Sequence, residues 1–470
     1  MGSTLFEKIW DQHSICDLGD GNELIYIDRI FLHERTGSIA LKSLEERKVA
    51  IRNPNQVFAT IDHIVDTFPG RGDKTLMPSG SDFIQSLRAS VKGSKIHFFD
   101  IDDPNQGIVH VVSPEQGIAL PGITYICPDS HTCSLGALGT LAWGVGSTEC
   151  EHALATNTLI KKKPKLMKIM VDGILPLGVT SKDIILHLIS QHGADGAKGH
   201  AIEFMGSVIE DLEIESRLTL CNMAVEFGAT TGIIAPDNKT ISYLEGRAFS
   251  PDENDFNKAR HYWSELKTDQ DAIFDKTISI DCSNITPYVT WGTNPQQAIP
   301  ISHSIPFVDQ ITNENEKEAM IRALEYMGLE QGQNINDQKI DAAFIGSCTN
   351  SRISDLRSAA KILKDKKVAD NITAICVPGS SQVKKQAEEE GLDKIFKSAG
   401  FEWRESGCSM CFFAGGESFG QNQRVISTTN RNFENRQGKL TRTHLASPMT
   451  VAASAIAGKI SDAKSIGIEQ

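Results

Sequence analysis

The sequence predicts an α/β protein with mainly parallel sheets, divided into three α/β/α-type segments. Short apolar runs alternate with longer helical patterns along the whole chain, as strand–loop–helix units do. The last third repeats that pattern with clear caps and turns. The length of 470 residues corresponds to about three domains at ~150 residues each. The expected segments are 1–165, 166–300 and 301–470.

In the first segment, apolar runs predict strands at 23–28, 57–61, 95–101, 107–112 and 123–127. A helix is expected at 147–159, capped by Ser147 or Thr148. The basic run Lys161-Lys162-Lys163-Pro164-Lys165 reads as a solvated linker. The second segment opens with a strand at 168–171. A helix follows, with Ser181 as its cap, Ile184, Ile185, Leu188 and Ile189 on its apolar face, and Gly193 ending it. Residues 250–275 are polar and acidic, which suggests a surface excursion before a strand at 277–281. In the third segment strands are expected at 341–345, 373–377 and 424–428, and helices at 354–363 and 382–390. A final helix is opened by Ser447-Pro448 and closed by Gly458. In such units functional residues sit on loops at the carboxyl ends of strands.

Composition narrows the function class. The formal net charge is −13, which argues against a nucleic-acid partner, since those proteins carry a basic footprint. Neither a signal-peptide pattern nor a bilayer-spanning apolar run is read from the sequence, so a cytoplasmic protein without membrane contact is expected. In a reducing compartment the ten cysteines are more naturally thiols or ligands than disulfides.

Three cysteines stand apart. Cys348 lies in the loop Gly346-Ser347-Cys348-Thr349-Asn350-Ser351, and Cys408 and Cys411 form the chain's one CxxC, in Gly407-Cys408-Ser409-Met410-Cys411. The first loop follows the strand at 341–345 and the second follows another strand–helix unit, so the two can meet at one sheet edge. Spacing alone leaves zinc, an iron–sulfur cluster and buried free thiols open. A cluster with three cysteine ligands would leave one iron for substrate, which suits a hydro-lyase better than an electron carrier.

Acid–base candidates gather at strand ends. Asp129-Ser130-His131 follows one expected strand and Asp62-His63 another, while His110 lies in the apolar run 107–112. Glu203, within Ala201-Ile202-Glu203-Phe204, is a carboxylate in an apolar setting, either a high-pKa acid or an ion-pair partner. Asn430, Arg431 and Arg436 follow the strand at 424–428, and two arginines on a loop can grip carboxylates bidentately.

Taken together these motifs resemble the aconitase superfamily. The resemblance runs through Tyr26-Ile27-Asp28, His33-Glu34, Thr60-Ile61-Asp62-His63, Gly107-Ile108-Val109-His110 and Asp129-Ser130-His131-Thr132. It continues through Glu149-Cys150-Glu151-His152, Leu220-Cys221-Asn222-Met223-Ala224, the cysteine loops, 429–438 and Thr441-Arg442-Thr443-His444. It implies three domains around a central [4Fe–4S] cluster held by Cys348, Cys408 and Cys411. Asp62, His63, His110, Asp129, Ser130 and His131 match residues that handle the leaving hydroxyl, and Glu203 is matched to the glutamate that assists water. Asn430, Arg431 and Arg436 match residues that bind the dicarboxylate.

The implied reaction eliminates water and re-adds it in the other regiochemistry, between 2-isopropylmalate and 3-isopropylmalate. Related hydratases of citraconate, dimethylmaleate or homocitrate-type acids form the alternative. The swivel domain of aconitases has no counterpart here, so the resemblance implies a separate small subunit in a heteromer. Two departures bear on substrate choice: Arg29-Ile30, and the run Phe412-Phe413-Ala414-Gly415-Gly416 after the second cysteine of the CxxC.

Overall fold

The computed structural model describes residues 2–412 and 415–467, so Phe413 and Ala414 of the run after Cys411 lie outside the described residues. The fold is mixed α/β with three parallel sheets. Contacts divide the chain into two units: residues 1–65, 72–173 and 197–281 form one, and residues 66–71, 174–196 and 282–470 the other.

The first unit holds two of the parallel sheets. In one, five strands lie in the order His97–Phe99, Val57–Thr60, Arg29–His33, Thr124–Cys127 and Leu141–Gly144, all parallel. In the other, the order is Thr231–Ile233, His200–Met205, Lys165–Asp172 and Lys276–Asp281, again parallel. A three-stranded antiparallel sheet joins Ser14–Gly19, Asn22–Tyr26 and Thr158–Lys162.

The second unit contains a five-stranded parallel sheet in the order Phe401–Trp403, Thr373–Cys376, Ala342–Ile345, Arg424–Ser427 and Arg442–Leu445. Both five-stranded sheets have the same topology. The strand that comes first in the chain lies at the centre, and later strands are added on one side and then on the other. In open α/β sheets the loops leaving the two strands at such a reversal diverge, and a crevice forms outside their carboxyl ends.

Several expectations change. The run at 107–112 is not a strand. Residues Val109–Glu115 form a helix, whose first-turn amide Val109 N donates to Asp62 Oδ2 at 3.0 Å. A short apolar run has no period long enough to separate strand from buried helix, and the carboxylate at the helix start decides it. The basic cluster is no linker: Lys161 and Lys162 end one strand and Lys165 opens the next. The acidic excursion contains the helix Glu253–Glu265, capped by Asp252, which buries only Phe256 and Trp263. Several strands went unread, among them Ser14–Gly19, the central Arg29–His33, Leu141–Gly144, His200–Met205, Phe401–Trp403 and Arg442–Leu445.

Cap signals hold in part: the helices expected to be capped by Ser147 or Thr148 and by Ser181 start one residue earlier, at the caps Gly146 and Thr180, the latter fixed by Asp183, which accepts from Thr180 N and Oγ1. Ser380 Oγ accepts from Val383 N at the start of Ser381–Glu389, and Ser447 caps Pro448–Ala457 with Pro in the first turn. Among the described residues no helix is long and apolar enough to cross a membrane.

Candidate functional site

In the first unit, four chain segments bring a histidine–carboxylate group to the crevice of the five-stranded sheet. His33 ends the central strand, Asp62-His63 follows Val57–Thr60, Asp129 follows Thr124–Cys127, and His110 comes from the first turn of Val109–Glu115. His63 sits between two carboxylates, with Nδ1 2.6 Å from Asp62 Oδ1 and Nε2 3.2 Å from Asp129 Oδ2. The ring of His33 stacks on that of His63 at 4.0 Å between centroids. Asp129 Oδ1 accepts from His131 N at 2.7 Å and lies 3.8 Å from His110 Nδ1. Ser130 Oγ lies 3.4 Å from His131 Nδ1.

Electrostatics set these groups apart. Burial alone would raise Asp129, but the hydrogen bonds and charges of His131, His63 and His110 outweigh it and hold the carboxylate well below its ordinary range. Asp62 is lowered in the same way, the His63 ring outweighing burial. His110 is pushed down to about 4 by burial and is neutral at pH 7. Glu34 is pushed up to about 7, first by burial and then by Asp62. Its carboxylate accepts from the backbone amides of Asp62, His63 and Ile64, which fixes the turn carrying the pair.

Glu203 does not join this group. Its carboxylate accepts from Thr268 Oγ1 at 2.7 Å, and burial pushes it up to about 7 with Lys168 and Lys8 acting against the shift. The carboxylate that meets a histidine of the group is Glu226, whose Oε1 lies 3.0 Å from His131 Nε2. Of the two readings open for Glu203, its burial and raised pKa match the high-pKa acid and not the ion-pair partner; what its side chain meets could not be read from an acidic residue in an apolar strand. Glu226 follows the Cys221-Asn222-Met223 motif by only three residues, a proximity that is visible in the sequence.

The second unit places the three cysteines at the corresponding crevice of its own sheet. Cys348 lies on the loop after the central strand Ala342–Ile345, and Asn430 and Arg436 on the loop after Arg424–Ser427. Met410, between Cys408 and Cys411, is buried with Phe344, Ile375, Val377, Phe419 and Val425, so the CxxC turn is pinned to the sheet. A buried carboxylate secures the same turn. Glu417 accepts from Ser409 Oγ at 2.6 Å and from Thr67, and pairs with Arg404 at 2.8 Å. Ser347 and Ser409, next to the cysteines, take positive φ values of 76° and 47°, conformations that cost energy outside glycine.

All three thiols are buried, and polar groups point at the sulfurs. Asn430 Nδ2 donates to Cys348 Sγ at 3.5 Å, Arg436 Nη2 to Cys411 Sγ at 3.7 Å, and Ser347 Oγ lies 3.0 Å from Cys411 Sγ. The Arg436 plane is held over Phe412 and Phe433, and its buried Nε meets no partner among the described residues. One zinc ion with bonds of about 2.3 Å would draw its sulfurs to about 4 Å apart. Among the described residues the only metal-capable group that closes within 4.8 Å is His33, Glu34, Asp62 and His63, and the cysteines are not part of it. Three buried thiols with donors directed at sulfur suit an iron–sulfur cluster.

Other expected residues are placed with less definition. Arg431 is half-buried beside Asn430, with its carbonyl accepting from Thr429 Oγ1 at 3.4 Å. Ser130 is exposed.

The chain matches known proteins over nearly its whole length. Residues 7–458 match the model of the aconitase family, described as aconitate hydratase. The chain is 48% identical over 465 residues to the 3-isopropylmalate dehydratase large subunit 1 of Bradyrhizobium diazoefficiens, covering 99% of this chain and 97% of that protein. It is also 48% identical over 472 residues to the 3-isopropylmalate dehydratase large subunit of Psychrobacter arcticus, covering 98% and 99% respectively.

Proposed function

Because the chain belongs to the aconitase family, we propose that it is the large subunit of a 3-isopropylmalate dehydratase, as its relatives are named. It interconverts 2-isopropylmalate and 3-isopropylmalate by dehydration and rehydration, a step of leucine biosynthesis in the cytoplasm. The observation that carries the reading is the trio of buried thiols, Cys348, Cys408 and Cys411, met by Asn430, Arg436 and Ser347.

Those three cysteines would hold a [4Fe–4S] cluster. With three protein thiolates the cluster supplies one Lewis-acidic iron open to a substrate oxygen. The chain's own residues do the rest. His63 has a carboxylate at each ring nitrogen, an arrangement that accommodates the doubly protonated ring and so holds a proton at a defined atom. Asp129, ionised at neutral pH, orients His131 through its backbone amide. Glu226 takes the role that had been expected of Glu203, holding or moving a proton through His131 Nε2. His110, neutral, contributes hydrogen bonding and no charge. Asn430, Arg431 and Arg436 bind the dicarboxylate, to which the planar guanidinium fork is matched. A small-subunit partner completes the enzyme.

The test is anaerobic reconstitution of the chain with iron and sulfide, with and without the co-purifying small chain. Turnover of isopropylmalate, citraconate and dimethylmaleate is then compared. The expected result is isopropylmalate turnover that requires both chains. Full activity from this chain alone would refute the heteromer. A clear preference for citraconate or dimethylmaleate would replace the substrate with that of a related hydratase.

A further inference from the structure

Lys182 is the second residue of the helix Ser181–His192, and it is fully buried. Its ammonium donates to Thr429 O at 2.6 Å, Thr428 O at 2.9 Å and Asn350 Oδ1 at 3.5 Å. All three acceptors are neutral. Among the described residues no carboxylate lies within ion-pairing distance of it, and the start of a helix is itself unfavourable for a cation. A buried charge with only neutral partners is costly unless an anion sits nearby. Burial accordingly pushes the ammonium down to about 7, and the groups that oppose the shift are Asp355, Asp183, Cys348 and Cys411. Asp183 is engaged with Thr180 and the Tyr288 amide, and Asp355 with Asn350 and the Arg352 amide. The remaining two are cysteines of the trio.

The acceptors of Lys182 lie on both loops that serve those thiols. Asn350 is two residues past Cys348, and Thr428-Thr429 directly precede Asn430, whose amide meets Cys348 Sγ. We propose that Lys182 is a positioning residue for the iron–sulfur cluster, its ammonium acting as the buried counter-charge of the cluster and as a clamp joining the Cys348 loop to the Asn430 loop. This rests on the cluster assignment above. Three thiolates outweigh the charge of the oxidised core, so the assembled centre is an anion and the lysine finds its missing partner in it. The charge near a cluster is one determinant of its reduction potential.

The experiment compares reconstituted wild type, Lys182→Met, Lys182→Gln and Lys182→Arg in the complete complex. Iron and sulfide content, the cluster's midpoint potential and its rate of loss in air are measured. The Met and Gln variants are expected to show a more negative potential and cluster loss about tenfold faster, the effect of one hydrogen-bonded charge. The Arg variant is expected to keep the wild-type potential. Gln retains donors for the two carbonyls without the charge, so it carries the test if the Met chain does not fold. A wild-type chain that takes up no iron and sulfide would overturn the cluster reading and this one with it. Normal loading of the wild type, beside a Met or Gln variant of unchanged potential and unchanged loss rate, would overturn the role of Lys182 alone.

Discussion

Glu226 Oε1 lies 3.0 Å from His131 Nε2, which makes Glu226 the carboxylate directly coupled to the Asp129-Ser130-His131 loop. General acid–base groups contribute about 10²- to 10⁴-fold to rate. Glu226→Gln should therefore lower kcat by at least about 10²-fold, with the cluster still loaded. Glu203→Gln, which alters a carboxylate bound to Thr268, should change kcat by less than about tenfold. Steady-state kinetics of the two variants decides the matter, and the reverse order would return the role to Glu203.

The cysteine assignment predicts a sharp division among the ten. Cys348→Ala, Cys408→Ala and Cys411→Ala should each abolish stable cluster binding, read as iron per chain and visible absorbance. Cys16→Ser, at an exposed site, should load like wild type. A Cys348→Ser chain that keeps a catalytically competent cluster would contradict the ligand set.

Glu417 ties the CxxC turn to Arg404, Ser409 and Thr67. Removing one member of a buried, hydrogen-bonded pair costs about 3–5 kcal/mol, because the other charge is left uncompensated. Glu417→Ala should lose stability on that scale in denaturant unfolding. It should also bind iron more weakly, since Ser409 stands between the two cysteine ligands. Unchanged stability would show that the carboxylate is dispensable.

Buried histidines give the chain an acid limit. Burial drives His33 and His110 to about 4 and, with the Arg424 charge adding to it, His444 to about 3. The unfolded chain takes up these protons near pH 6.5, before the folded chain does. Stability is thus fully present above about pH 6.5 and is lost as pH falls toward 3–4. His444 hydrogen-bonds Thr290 O and Arg424, and its share of the loss is on the order of 5 kcal/mol. His444→Gln should flatten the fall of melting temperature across that window. A slope equal to wild type would refute the assignment.

The sequence by itself determined the residue types and where the chain turns. Ser447-Pro448 and the loops after 341–345 and 424–428 are local signals, set by neighbours a few residues apart, so they survive without knowledge of the fold. The cysteine loops and the Asp62, His63, Asp129 and His131 motifs were legible for the same reason. Tertiary structure decided which groups meet. The expected strand at 107–112 gave way to the helix Val109–Glu115, whose first amide donates to Asp62, 47 residues away. Arg29–His33 became a central strand because partners at 57–60 and 124–127 flank it. Glu226 meets His131 while Glu203 meets Thr268, and Lys182, which reads in the sequence as one more charge at a helix start, is buried against carbonyls 246 and 247 residues distant. Burial and long-range pairing fix pKa values and partners, and neither can be read from residue spacing alone.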